Sequence, residues 1–355
     1  LLWRIRVSPV LFAERKPKIS MKKAILLFFC SSAIFLNSIS AETGSKIAET
    51  HYFEFHSNYM LNLHHFLMQK GFKYKLASSE QEKTFDALFG TDASVSASET
   101  EKQNILKAVV FYANNQANRN MLFDPEMTEL KYALEEMNSV DDLSASKIPA
   151  EVQTALKQAD VYFQKNDWLA QDKRNRTFLL DKIETIRKIE EQTIAKCENV
   201  YQYKWNGKRF RIDLVDYATF FGAYTTTEPF VNAVISSSDK RHEGSQGIEV
   251  VFHEVSHAMS DGLFGAQMHF CDSMHLQMDH NVWHTLLFYT TGKIVQQQLA
   301  SLGQEHELYL LKNKLAELNP NVRKVVDAVL KNGPALLDGK KNTQETVLAV
   351  LEESR

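Results

Sequence analysis

His253 and His257 stand four residues apart, with Glu254 directly after the first, in the run His253-Glu254-Val255-Ser256-His257. Four residues is little more than one helical turn, so a helix is the conformation that brings both imidazoles to one face. The flanks permit it: Val250-Val251-Phe252 and Ala258-Met259 are uncharged and free of proline, which suits a helix buried on most sides. Gly262 is expected to end that helix. Two imidazoles converging from one turn can ligate one ion, and a carboxylate beside the first can hold and deprotonate a water. The spacing therefore predicts a metal pair, His253 and His257, with Glu254 as general base. Zinc is the expected metal, because it lowers the pKa of water to roughly 7 and lets a carboxylate finish the deprotonation at neutral pH.

A catalytic zinc keeps three protein ligands and one open position. The next predicted helix, His280 to Leu299, offers Asp279, His280 and His284. His284 is preferred as third ligand because Trp283, Leu286, Leu287 and Phe288 surround it in sequence and place it near the core. An unpaired imidazole is costly there. His280 and then Asp279 stand behind it, and a core histidine bonded to a carbonyl is the plain alternative.

The rest of the chain reads mostly as helix. Glu49 to Lys70, Ile105 to Tyr112, Met127 to Met137, Ala150 to Lys165 and Asp167 to Cys197 carry apolar residues at helical spacing. Ala93 to Glu101 and Ser139 to Ser146, rich in small polar residues, read as surface loops. Phe210 to Tyr217 alternates as a strand does, and Phe230 to Ser236 reads as a second strand behind Pro229. Helices follow to the C-terminus. The expectation is an α+β fold, predominantly helical, with a small sheet preceding the His253–His257 helix. It divides into a helical region over 42–200 and a catalytic region over 201–355.

The first 41 residues read as something other than fold. Met21-Lys22-Lys23, the apolar stretch Ala24 to Leu36 and the small-residue exit Ile39-Ser40-Ala41 have the order of a secretory signal. The apolar stretch is too short for a comfortable membrane span. Residues 1–20 are expected to be an upstream extension, 21–41 a signal peptide, and the protein exported to the periplasm or beyond with no stable membrane span after cleavage. Those 41 residues hold seven basic and one acidic residue, so a whole-chain charge of −3 becomes −9 from Glu42 onward. An acidic body without a basic run argues against nucleic acid as a partner.

Several weaker features accompany the motif. His56, His64 and His65 lie near the start of the body, where packed polar positions on a helix are the plain reading and a second metal site the sharper one. Tyr224 and Tyr289 are candidate phenols for an oxyanion. Gln267 to Met278, with His269 and His275, reads as a polar loop. Cys197 and Cys271 either pair or never meet, and their spacing is not that of a zinc pair. Asn175-Arg176-Thr177 matches a glycosylation acceptor that carries little information beside a bacterial-type signal.

Over about Phe210 to Leu299, the motif with a strand before it resembles the zincin superfamily of zinc metallopeptidases. That resemblance implies a strand lying antiparallel to bound substrate, here Phe230 to Ser236, with Ala223 to Thr227 as the turn that feeds it. It implies a peptide or protein substrate and hydrolysis by a zinc-activated water with Glu254 as base. The metzincin continuation is absent, since Ser260 and Leu263 occupy the places of its Gly and His. The gluzincin third ligand is absent too, because no Glu occurs between Ala258 and Gly303. The expected protein is an exported zinc-dependent metallohydrolase, a peptidase, similar to gluzincins but with a histidine as third ligand. The rivals are a zinc-binding protein without catalysis and a secreted helical binding module in which the motif is accidental.

Overall fold

A computed structural model describes residues 45–355; the expected extension and signal segment lie outside them. The described chain falls within one compact unit, Gly44–Arg355. It begins with strands β1 (Lys46–Glu49) and β2 (Phe53–His56) and continues through helices α1 (Tyr59–Leu76), α2 (Phe85–Phe89), α3 (Thr91–Ser96), α4 (Glu99–Asn115), α5 (Pro125–Glu135), α6 (Ala150–Phe163), α7 (Leu169–Leu180) and α8 (Ile183–Tyr201). Strands β3 (Phe210–Val215), β4 (Ala223–Thr226) and β5 (Asn232–Ser236) follow. Helices α9 (Ser245–Ser256), α10 (Asp261–Ser273), α11 (His280–Ser301), α12 (Tyr309–Lys312), α13 (Pro320–Leu337) and α14 (Thr343–Ser354) close the chain. The fold is α+β and predominantly helical, with one five-stranded sheet in the order β1-β2-β3-β5-β4. Among the described residues no helix is long and apolar enough to cross a membrane.

The sheet separates two cores, and the two-residue period of its strands decides which side chain enters which. Phe53 and Phe55 of β2, Phe210, Ile212 and Leu214 of β3, and Ala233 and Ile235 of β5 enter one core, shared with α8, α9, α11, α13 and α14. Val215, Tyr224 and Val234 enter the other, built on α1, α4, α5 and α6. The middle strands β2, β3 and β5 run parallel, whereas β1 and β4 run antiparallel to their neighbours at the two edges.

Several boundaries differ from expectation, each for a local reason. The helix expected from Glu49 begins at Tyr59, because Asn58 caps it by accepting from the Leu61 amide. The residues before it form β1 and β2, where Phe53-Glu54-Phe55-His56 alternates over only four positions. Asp167 to Cys197 is two helices, broken at Asp181 and Lys182. Ala93 to Glu101 is largely helical, with Ser98 and Glu101 forming a reciprocal cap at the start of α4. Ser139 to Ser146 carries a 3-10 turn over Val140–Ala145. Gln267 to Met278 is half helix, because α10 runs to Ser273.

Candidate metal centre

Helix α9 is buried from Gln246 through Ser256, as the uncharged flank Val250-Val251-Phe252 foreshadowed. It lies under β4 and β5 and beside α11. The helix stops at Ser256 and tightens into a 3-10 turn over His257–Met259. Gly262, expected to end it, instead sits in the first turn of α10, two residues after Ser260. The Ser256 and Ser260 hydroxyls donate to the His253 and His257 carbonyls, at 2.7 and 2.8 Å, and so satisfy backbone acceptors at this helix end.

Helix α11 supplies the third histidine. Gln267 of α10 donates to the Asp279 carbonyl (2.6 Å) and accepts from the Trp283 amide (2.9 Å), clamping the first turn of α11. Asp279 is the N-cap of that helix, its carboxylate taking the Asn281 amide at 2.9 Å. Asp279 is not among the residues that lie within ligand distance of His253 and His257. His284 is then carried to His253 and His257, and ligand nitrogens from the three rings lie within 4.8 Å of one another. The ring centroids form a near-equilateral triangle: 4.9 Å for His253–His257, and 5.2 Å from His284 to each. His280, one turn earlier, is exposed and 5.2 Å from His284, outside the triad. Three histidines are thus close enough to hold a metal ion.

The triad's chemistry fits a cation. Burial, and then the neighbouring rings, hold His253 and His284 well below the ordinary histidine range. Burial, with His280 beside it, takes His257 down to about 4. All three rings are therefore neutral near pH 7 and present lone pairs, the form a metal requires. Nδ1 of His253 is buried with no hydrogen-bond partner among the described residues. Its ring instead stacks on Phe288, centroids 3.4 Å apart and planes 16° apart, and Phe288 sits one turn beyond His284 on α11.

Glu254 points to the β4 side. Thr225 Oγ1 donates to its carboxylate at 2.7 Å and also lies 2.9 Å from its backbone carbonyl. Burial pushes the Glu254 carboxyl up to about 7, against the pull of that hydrogen bond. A carboxyl that gains and loses its proton near neutrality is suited to general acid–base work. Sequence reading assigned Thr225 no part in the site. The alternation in Ala223-Tyr224-Thr225 was the available signal, since it sends Tyr224 to one core and Thr225 to the α9 face.

The strand assignment changes place. Phe230 to Ser236 was expected at the edge, but β5 starts at Asn232, is buried throughout and lies between β3 and β4. The edge strand is Ala223–Thr226, expected as a turn. A strand buried on both faces reads as a continuous apolar run, as Ala233-Val234-Ile235 does, whereas the edge can carry Thr225 and Thr226. Helix α5 braces that edge: buried Lys131 donates to Thr226 Oγ1 and Asn232 Oδ1, both at 2.5 Å, and Tyr132 donates to the Phe230 carbonyl at 2.8 Å.

Other candidates lie elsewhere. The Tyr224 hydroxyl is 3.1 Å from His65 Nε2 in the helical core, and the Tyr289 ring packs against Gly333, so neither phenol belongs to the triad. Cys197 and Cys271 are both free and buried. Asn175 is fully buried, its amide donating to Ser57 Oγ and the Leu214 carbonyl, which closes it to glycosylation in the folded chain. No family model matches the chain, and neither a curated protein nor a solved structure matches it.

Proposed function

We propose that this protein is a zinc-dependent metallohydrolase of the peptidase type, acting outside the cytoplasm. The observation that carries the reading is the convergence of three neutral imidazoles from α9, the turn that ends it and α11, with a titratable carboxyl on the residue next to His253. His253, His257 and His284 would hold the ion. Zinc, when bound, supplies a Lewis acid for a carbonyl and brings the pKa of water to about 7.

The chain's own residues account for the proton traffic. Glu254 Oε1 would take the water proton, and the same carboxyl would return it to the departing amine, as a pKa near 7 allows in both directions. Thr225 fixes one carboxylate oxygen, leaving the other for the water. β4 is an edge strand of the sheet, and its Thr225 ties that strand to the general base. The peptide substrate itself rests on the zincin resemblance of the motif, which placed the substrate-facing strand at Phe230 to Ser236 and not at β4.

The test is metal analysis of the purified protein, followed by assay on a mixed peptide library with and without chelator. The reading expects one zinc per chain and cleavage that chelation stops and zinc restores. Zinc without cleavage would leave a metal-binding protein, and absence of stoichiometric metal would leave an accidental motif.

A further inference from the structure

Neither ring nitrogen of His253 bonds a protein atom among the described residues, and its Nδ1 is buried without a partner. Whichever nitrogen takes an ion, the other lacks the carboxylate or carbonyl that ordinarily orients a ligating imidazole. Torsion does not orient it either, because rotation of a histidine ring about Cβ–Cγ is broad. A neighbour has to set the plane, and that neighbour is Phe288. Its ring covers a face of His253 at a centroid separation of 3.4 Å, with planes 16° apart. Rotation of the imidazole therefore drives its edge into the phenyl face. The same phenyl makes a T-shaped contact with His284, at 5.2 Å and 69°, so one side chain abuts ligands from both α9 and α11. Tyr309 packs on Phe288 in turn, centroids 5.5 Å apart and planes 20° apart. His253, Phe288 and Tyr309 thus make a row of near-parallel rings.

The outer ring of the row is itself pinned. Glu249 stands four residues before His253, on the same face of α9. Its Oε2 accepts the Tyr309 amide at 2.9 Å and lies 2.5 Å from His306 Nε2. His306 Nδ1 lies 2.8 Å from Ser245 Oγ at the start of α9. The Gln246 side chain donates to the Glu307 carbonyl, and that of Gln296 on α11 to the His306 carbonyl, each at 2.6 Å. Residues 306–309 are therefore strapped to both ligand-bearing helices. Gly292 of α11 leaves room for the strap, since a Cβ there would run into Glu249 Oε1. The side chains of Glu249 and His306 are completely buried, which suits a clamp that needs no access to solvent.

We propose that Phe288 and Tyr309 are positioning residues for the ligand His253, a role that rests on the triad holding zinc. The row of rings takes the place of the hydrogen bond that would otherwise fix the imidazole, and the Glu249–His306 clamp holds Tyr309 against Phe288. What the row requires is a flat face at 288 and a ring at 309; the Tyr309 hydroxyl has no part in it.

The experiment titrates the full chain with zinc against a competing chelator, and separately with Co²⁺, whose visible absorption follows the arrangement of ligands around the ion. Phe288→Leu should bind zinc about 10- to 100-fold more weakly and shift the Co²⁺ bands, and Phe288→Tyr should keep both as in the native chain. Tyr309→Leu should weaken zinc in the same direction, whereas Tyr309→Phe should match the native chain. That second pair decides the matter should Phe288→Leu not fold. Urea unfolding of the metal-free chain tells positioning from packing. Zinc affinity and Co²⁺ bands unmoved in whichever leucine variant folds, with only the urea midpoint lowered, would overturn the proposal and leave a packing contact. A native chain that takes up neither ion would instead overturn the zinc centre, and the role of the row with it.

Discussion

Two groups of histidines, a buried pair in one core and a partly buried triad in the other, show how differently the same side chain can be used. In the helical core, His64 Nδ1 lies 3.0 Å from the Tyr112 hydroxyl and His65 Nε2 lies 3.1 Å from the Tyr224 hydroxyl. In the other core, His253, His257 and His284 converge on one another, without such a phenol, around a space bounded by their nitrogens. Burial drives every one of these rings toward the neutral form. Neutrality alone therefore does not make a ligand. A tyrosine hydroxyl takes one nitrogen of each ring in the first pair, whereas the nitrogens of the second set converge on one another with no such phenol among the described residues.

The largest expected effect falls on the triad. His284→Ala should reduce bound zinc from one per chain to none after desalting, whereas His280→Ala, one turn earlier on the same helix, should keep it. Equal zinc in both variants would remove His284 from the centre and erase the contrast between the two groups. Next in size, Glu254→Gln should keep zinc and lower peptide turnover by about 10²–10⁴-fold. Full retained turnover would take the general-base role from Glu254.

The helical-core pair should respond in stability instead. Tyr112→Phe leaves His64 Nδ1 without its partner and should cost about 1–3 kcal/mol in urea unfolding, with zinc stoichiometry unchanged. A loss of zinc in that variant would mean the two groups are coupled. The last effect is on acid sensitivity, read as a difference between the native chain and His64→Asn. Burial lowers His64 to about 3 and His65 well below its ordinary value, so the folded state favours the neutral rings. The associated stability is fully present above the unfolded pKa, near 6.5, and is lost as pH falls from there toward the folded values, by at most about 1.4 kcal/mol per pH unit for each ring. The urea midpoint should fall between pH 7 and pH 5, and fall less in His64→Asn. A midpoint flat over that interval in the native chain would show that these rings are already protonated in the fold.

The parts of the site legible in the sequence were those set by a helix's own geometry. His253, Glu254 and His257 needed only the four-residue spacing. His284 followed from its apolar neighbours and a plausible return distance, and among the described residues it is His284 that lies close enough to His253 and His257 to share an ion with them. Asp279 is occupied at the start of α11, and His280 faces solvent. What depended on which strand lies next to which was not legible. Ala233-Val234-Ile235 announces a strand whether it is central or at an edge, and only the pairing of β3, β5 and β4 places it. Thr225, Lys131 and the Glu249–His306 pair belong to the same class, because their partners are remote in sequence.

Gln267 has a consequence for how such a centre can vary. Its one side chain grips both the carbonyl of Asp279 and the amide of Trp283, so the register of α11 against α10 is set by that amide. The connecting segment Met274 to Met278 is thereby relieved of fixing where His284 arrives. Leu276 still packs on the core and bonds the Cys271 carbonyl, so the freedom falls on its neighbours in the segment, whose side chains can change while Gln267 holds the register of the ligand helix.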